Sequence, residues 1–239
     1  MTLTNLNPAF GPEELQKEYR RRFADVESYR KQVWSRLVPA FFQRLIPIES
    51  VVLDLGCGYG EFINHIRAKD KYAMDLNPDA SGRLDPNVTF FLHDCSVEWP
   101  LPSDCLDAIF SSNFFEHLPS KEMLSSVIAN AIRCLKPAGR LICLGPNVKY
   151  LGGAYWDFWD HHIPLSDRSL RELLELKGLR IVKIWKRFLP FTMSDGFRPP
   201  PIFVDLYLML PCIWPLVGRQ FLIIAQKAES GGSCSNGKR

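Results

Sequence analysis

No C-x-x-C pair occurs in this chain, and its seven cysteines are an odd count scattered through apolar segments, as at Cys57, Cys95, Cys134 and Cys143. That pattern excludes a disulfide framework and a thiolate zinc centre, and it implies reduced thiols in a cytoplasmic protein with no structural metal. A charge excess is missing too: 29 Lys and Arg stand against 26 Asp and Glu, a net of +3. No long basic stripe interleaved with aromatics occurs, so nucleic acid is not an expected partner. The main basic run, Arg20-Arg21-Arg22, falls in a helical stretch and is expected on a solvated face. Residues 1–7 lack the basic-then-apolar profile of an export signal. The most apolar segment, 202–217, is too short to span a bilayer and is interrupted by Asp205 and prolines.

What is present begins at residues 51–62, Val-Val-Leu-Asp-Leu-Gly-Cys-Gly-Tyr-Gly-Glu-Phe. An apolar run of this length bounded by glycines reads as a parallel strand covered on both faces, running into a glycine turn and then a helix. Gly56, Gly58 and Gly60 allow a sharp bend and close approach of a ligand. The dinucleotide fingerprint needs a glycine where Glu61 stands, so that assignment fails at its third glycine. Asp54 and Glu61 also place carboxylates where a diphosphate would sit, and suit a cationic ligand instead.

Asp54, Gly56, Gly58 and Gly60 resemble the D-x-G-x-G-x-G motif of the class I S-adenosylmethionine-dependent methyltransferases. Further segments fit the same family. Residues 72–77 supply Asp75, where the family has an acid for the ribose hydroxyls. Residues 88–95 end in Asp94, which resembles the adenine-contacting acid. Residues 106–118 run through Glu116-His117-Leu118, and 135–144 carry Leu-Lys-Pro-Ala-Gly with Ala138 in place of a usual glycine. The resemblance implies S-adenosyl-L-methionine as cofactor, held by Asp54, Gly56, Cys57, Gly58, Gly60, Asp75, Leu76, Asp94, Cys95, Ser111 and Asn113. It also implies an α/β fold: a Rossmann-like, doubly wound, seven-stranded sheet with an antiparallel last strand, N-terminal helices and a hydrophobic helical insert before that strand.

The chain of 239 residues is long enough to be one large domain. Its expected divisions are a helical lid at 1–47, a donor-binding half at 48–145, a substrate-side half at 146–229 with an insert at 189–217, and a disordered tail at 230–239. Tyr19, Arg20 and Tyr29 are candidate contacts from the lid. A helix is expected over 165–177, with Ser166 or Asp167 as cap and Gly178 as stop. Strands are expected near 179–186 and 220–227.

The acceptor side is expected beyond the fourth and fifth strands. The loop 145–165 concentrates Trp156, Trp159, Asp157, Asp160, His161 and His162, and is the expected substrate wall. A hydroxyl acceptor must lose a proton, which makes His162 and His161 candidate bases, Asp160 their orienting partner and His117 the rival. Two adjacent histidines without a third ligand at recognisable spacing predict no metal. Residues 112–115, Ser-Asn-Phe-Phe, depart from the Asn/Asp-Pro-Pro-Tyr/Phe motif of base-modifying enzymes, leaving a small-molecule acceptor. Residues 145–176 resemble methyltransferases of sugar, surface-glycan and natural-product pathways, implying a saccharide hydroxyl, with an N- or C-methylated small metabolite as the alternative. The insert is expected to roof the acceptor pocket, form a homodimer face or touch a membrane surface through 202–217, in that order. Two rivals come from other classes. A nicotinamide oxidoreductase would need the missing glycine and a Tyr-x-x-x-Lys pair. A donor-binding protein without catalysis would keep the same motifs.

Overall fold

The computed structural model describes residues 16–17, 20–21, 25–191 and 198–229. Tyr19 and the tail expected at 230–239 lie outside them. Strands form where apolar residues run together. These are β1 (Val51–Leu55), β2 (Asp70–Asp75), β3 (Val88–Leu92), β4 (Leu106–Ser112), β5 (Leu135–Pro146), β6 (Arg180–Trp185) and β7 (Gln220–Gln226). They make one seven-stranded sheet in the order β3-β2-β1-β4-β5-β7-β6. β1 to β5 pair in parallel, and β7 lies antiparallel to both β5 and β6. The central strands β1 and β7 are almost wholly buried, whereas edge strand β6 exposes Arg180, Val182 and Lys183.

Alternation along the strands divides the core between the two faces of the sheet. Leu53, Leu55, Met74 and Ile109 face one cluster, and Val52, Ala73, Ala108 and Phe110 face the other. Helix α2 (Lys121–Cys134) covers the first face. Ser120 caps it by accepting from the Met123 amide, and Leu124, Val127, Ile128, Ala131 and Cys134 recur at helical spacing on its buried side. Each of the large ones contributes about 1.5–3 kcal/mol of burial. Short helix α3 (Val148–Leu151) leads into the 152–160 loop, and α4 (Asp167–Leu176) follows on the same face as α2. Ser166 and Ser169 close a reciprocal capping box on α4, and Gly178 at φ +86° follows it.

The second face is covered by helix α1 (Glu27–Ala40) and by the insert, which forms α5 (Ile202–Met209) and α6 (Trp214–Val217). Trp214 is the insert's anchor. It packs on Phe41, Phe188 and Tyr207, and its indole donates to the Tyr207 carbonyl. No helix among the described residues is long and apolar enough to cross a membrane.

The helix expected after the glycine turn does not form. Residues 59–65 are turns with isolated bonds such as Asn64 N to Gly60 O, because the chain must reach β2 at Asp70 within a few residues. Phe62, Ile63 and Ile66 still bury themselves in the second cluster, with Phe62 stacked on Phe110 at 3.8 Å. Ala138 adopts φ +61° at the irregularity where the β4–β5 register shifts, the backbone state for which the family has glycine.

Candidate active site

The strand order reverses between β1 and β4, and ligands of such sheets bind at the carboxyl ends of the strands there. Asp54 sits near the end of β1, Asp75 ends β2 and Ser112 ends β4. The turn after β1 holds Gly56, Gly58 and Gly60 at φ +68°, +53° and +77°. At Gly56 a Cβ would lie 2.3 Å from Cγ of Phe114, so only glycine fits. The turn's amides are committed within the protein. Gly56 and Cys57 both donate to the Met74 carbonyl, Gly60 donates to the Cys57 carbonyl, and Gly58 donates to Oδ2 of Asp75 at 2.8 Å. A diphosphate would find few donors there.

The electrostatics point the same way. Burial, and then the neighbouring Glu61, push the Asp54 carboxyl well above the ordinary carboxylate range. Burial also raises Asp75 to about 6, against the pull of the amides of Asn77, Gly58 and Leu76. Glu61 is tied to Arg30 at 2.7 Å. The Cys57 thiol is raised by burial, then by Asp75 and Asp54, so it is no nucleophile. Asn113 adds a polar group: it stands at φ +48°, donates to the Ser112 hydroxyl, and has a buried Oδ1 with no partner among the described residues. Buried carboxylates short of cations, beside an unsatisfied amide oxygen, fit a ligand that brings positive charge and hydrogen-bond donors. S-adenosylmethionine has both.

These groups line a cavity of about 1070 Å³. Of the residues expected at the cofactor, Asp54, Gly56, Cys57, Gly58, Asp75, Leu76, Asp94, Cys95 and Asn113 line it. Gly60 and Ser111 do not. Ser111 is turned inward and donates to the Leu55 carbonyl, while Gly60 abuts Asn64 and Leu84. Because strand residues alternate faces, it is Ser112 that reaches the cavity. Asp94 also accepts from the Ser96 amide, closing the turn that follows it. From α1, Tyr29, Arg30, Val33, Trp34 and Leu37 form a wall, whereas Arg20 is paired with Asp79 on the surface.

On the opposite wall, β4 continues into a tight turn over Phe115–His117. The carbonyl of Glu116 accepts from the amides of both His162 and Ile163, which pins the 158–163 loop against this turn. Asp160 then reaches His117 and not the histidines beside it in sequence: Nδ1 of His117 lies 2.9 Å from Oδ2 of Asp160. This corrects the expected pairing of Asp160 with His161 or His162. His161 is buried, stacked on Phe158 and edge-on to His117, while His162 is half-exposed at the cavity wall. The expected tryptophan wall is corrected too. Phe158, Asp160, His161 and His162 line the cavity, but Trp156 and Trp159 do not, and Trp159 is 83% exposed. Sequence reasoning missed Gln220 at the start of β7. It is 8% exposed, lines the cavity, donates to the Pro190 carbonyl and leaves a buried Oε1 with no partner among the described residues.

Glu116, His117 and His161 also bring one ligand atom each within 4.8 Å of one another. Within that group Oε1 of Glu116 lies 3.9 Å from Nε2 of His117, whose Nδ1 is engaged by Asp160.

A family model described as a methyltransferase domain matches residues 26–184, more than half of the chain. Solved structures share the fold. An S-adenosylmethionine-dependent methyltransferase from Archaeoglobus fulgidus is 23% identical with a TM-score of 0.61, covering 86% of this chain and 99% of its own. A protein from Thermotoga maritima, described as a possible histamine N-methyltransferase, is 18% identical with a TM-score of 0.62, covering 88% and 95%. A Haloferax volcanii protein described as a methyltransferase, in complex with the Trm112 methyltransferase activator, is 16% identical with a TM-score of 0.65, covering 94% and 100%. No curated protein matches the chain significantly.

Proposed function

The chain belongs to the class I S-adenosylmethionine-dependent methyltransferases, and we propose that it methylates a hydroxyl of a small acceptor, of the kind found on sugars, glycan precursors or related natural products. The cofactor, when bound, supplies an electrophilic methyl group on a sulfonium. Asp75 would accept from the ribose hydroxyls, Asp94 from the adenine amine, and Asn113 Oδ1 from the ammonium, with Asp54 holding the negative field around the turn. Helix α1 would serve as a lid over that site through Tyr29, Arg30 and Trp34.

The observation that carries the choice of acceptor is the His117–Asp160 contact of 2.9 Å within the cavity that holds the carboxylates. Asp160 orients the ring at Nδ1, Oε1 of the buried Glu116 stands 3.9 Å from Nε2, and a histidine so placed can take a hydroxyl proton as transfer proceeds. A neutral amine already carries its nucleophilic lone pair, so a built base favours oxygen. Transfer otherwise depends on holding donor and acceptor in line. Gln220 Oε1 would accept from a second acceptor hydroxyl, and the insert roofs the pocket through Leu206, Tyr207 and Leu210. Incubating the protein with isotopically methyl-labelled donor in cell extract, followed by mass spectrometry, tests this. An O-methylated product is expected. An N- or C-methylated product would overturn the oxygen assignment, and no product with intact S-adenosylhomocysteine binding would leave a donor-binding interaction protein.

A further inference from the structure

Helix α5 is apolar on both sides. Val204, Tyr207 and Leu208 pack against the core, while Ile202, Phe203, Leu206, Met209 and Leu210 are exposed. Those five recur at i, i+1, i+4, i+7 and i+8, a single stripe along the helix. Leu216 and Val217 of α6 are exposed as well, Met209 and Leu216 by 76% and 75%. Contiguous exposed apolar side chains of this kind mark an interaction surface.

Three facts identify what covers it. Phe203, Leu206, Leu210 and Val217 belong both to the exposed patch and to the cavity lining, so one apolar surface runs from the acceptor pocket to the outside. The border is cationic. Arg187 donates to the carbonyls of Leu216 and Gly218, and Arg198 stands exposed where the insert meets the cavity. The one acid within 198–219, Asp205, is neutralised by Arg36 at 2.5 Å. Finally, Trp159 projects from the rim between two cavity-lining residues, Phe158 and Asp160, and exposed tryptophan suits a lipid–water boundary. A second copy or a protein partner seated on Phe203, Leu206 and Leu210 would plug the pocket mouth. A bilayer would feed it.

We propose that the insert docks on an anionic lipid bilayer and that the acceptor is an amphiphile drawn from it, its apolar chain lying along Phe203, Leu206 and Leu210 and its hydroxyl reaching His117. The acceptor class rests on the transferase reading given above. The docking face does not.

The full chain should cosediment with phosphatidylglycerol-containing vesicles, less so as salt is raised, and poorly with phosphatidylcholine alone. Met209→Asp and Leu216→Asp lie outside the cavity lining, and each should weaken vesicle binding about tenfold or more while leaving S-adenosylhomocysteine binding unchanged. Labelled methyl groups should enter the organic-extractable fraction of a cell extract. No sedimentation with either vesicle, or variants that sediment like the parent, would overturn the docking face. A parent dimer that Met209→Asp splits, without vesicle binding, would assign the patch to a second copy instead. Label confined to the aqueous phase would overturn the amphiphilic acceptor and leave methyl transfer standing, whereas vesicle binding with no labelled product would remove the transfer reading and keep the docking face.

Discussion

Raising the pH through about 6 should cost the unliganded protein stability, and Asp75→Asn should make that dependence shallower. The Asp75 carboxyl moves from an ordinary 3.8 to about 6 on folding because burial outweighs the two amides at 2.8 Å that favour its charge. A folded value above the unfolded one means that the native state holds the proton more tightly. Its stabilisation is therefore complete below the unfolded value and is lost as pH rises through the folded one. The full difference corresponds to about 3 kcal/mol, of which about 1.4 kcal/mol falls between roughly pH 5 and pH 7.5. Asp54, raised in the same direction, adds to the slope. In Asp75→Asn, one of the amides of Gly58 and Asn77 would face the new NH₂ group, a penalty of about 1–3 kcal/mol that does not vary with pH. The quantity to compare is thus the slope and not the absolute stability. Urea unfolding followed by tryptophan fluorescence at a series of pH values gives it. Parallel curves for parent and variant would refute the assignment. In the parent, S-adenosylhomocysteine should bind more tightly as pH rises through 6, since ribose hydroxyls need the ionised carboxylate as acceptor.

His117→Ala should lower transfer by about 10²–10⁴-fold without changing S-adenosylhomocysteine affinity, and Asp160→Asn should follow it; a retained single-turnover rate in His117→Ala would remove the base. Chelation with EDTA should leave the rate unchanged, because Nδ1 of His117 is committed to Asp160. Loss of activity restored by a divalent cation would place an ion among Glu116, His117 and His161. Ala138→Gly should relieve the left-handed φ of +61° and stabilise the protein by about 1 kcal/mol, raising its thermal midpoint by about 2–4 °C; a lower midpoint would show that the alanine methyl packs usefully.

The sheet was legible because β1, β4 and β7 are apolar runs with little helical periodicity, and much of the cavity lining was legible because its residues lie at the ends of such strands. Ser111 against Ser112 was not, since one residue of register reverses the face and the sequence marks neither. The pairing of His117 with Asp160 was hidden for a different reason: the two are 43 positions apart, joined through the Glu116 carbonyl that holds the second loop. Trp159 looked like a wall because exposed indole is costly, yet the structure leaves it outside. The expected helix after Gly60 failed on length, not composition.

The ring of Phe114 fills the space that a side chain at Gly56 would claim, and His117 follows it one short turn later. A shift of the glycine turn would press on that ring, three residues before the histidine. Seating of a nucleoside against the glycine turn would thus bear on the segment that carries the imidazole, so that the two halves of the pocket share one packed ring.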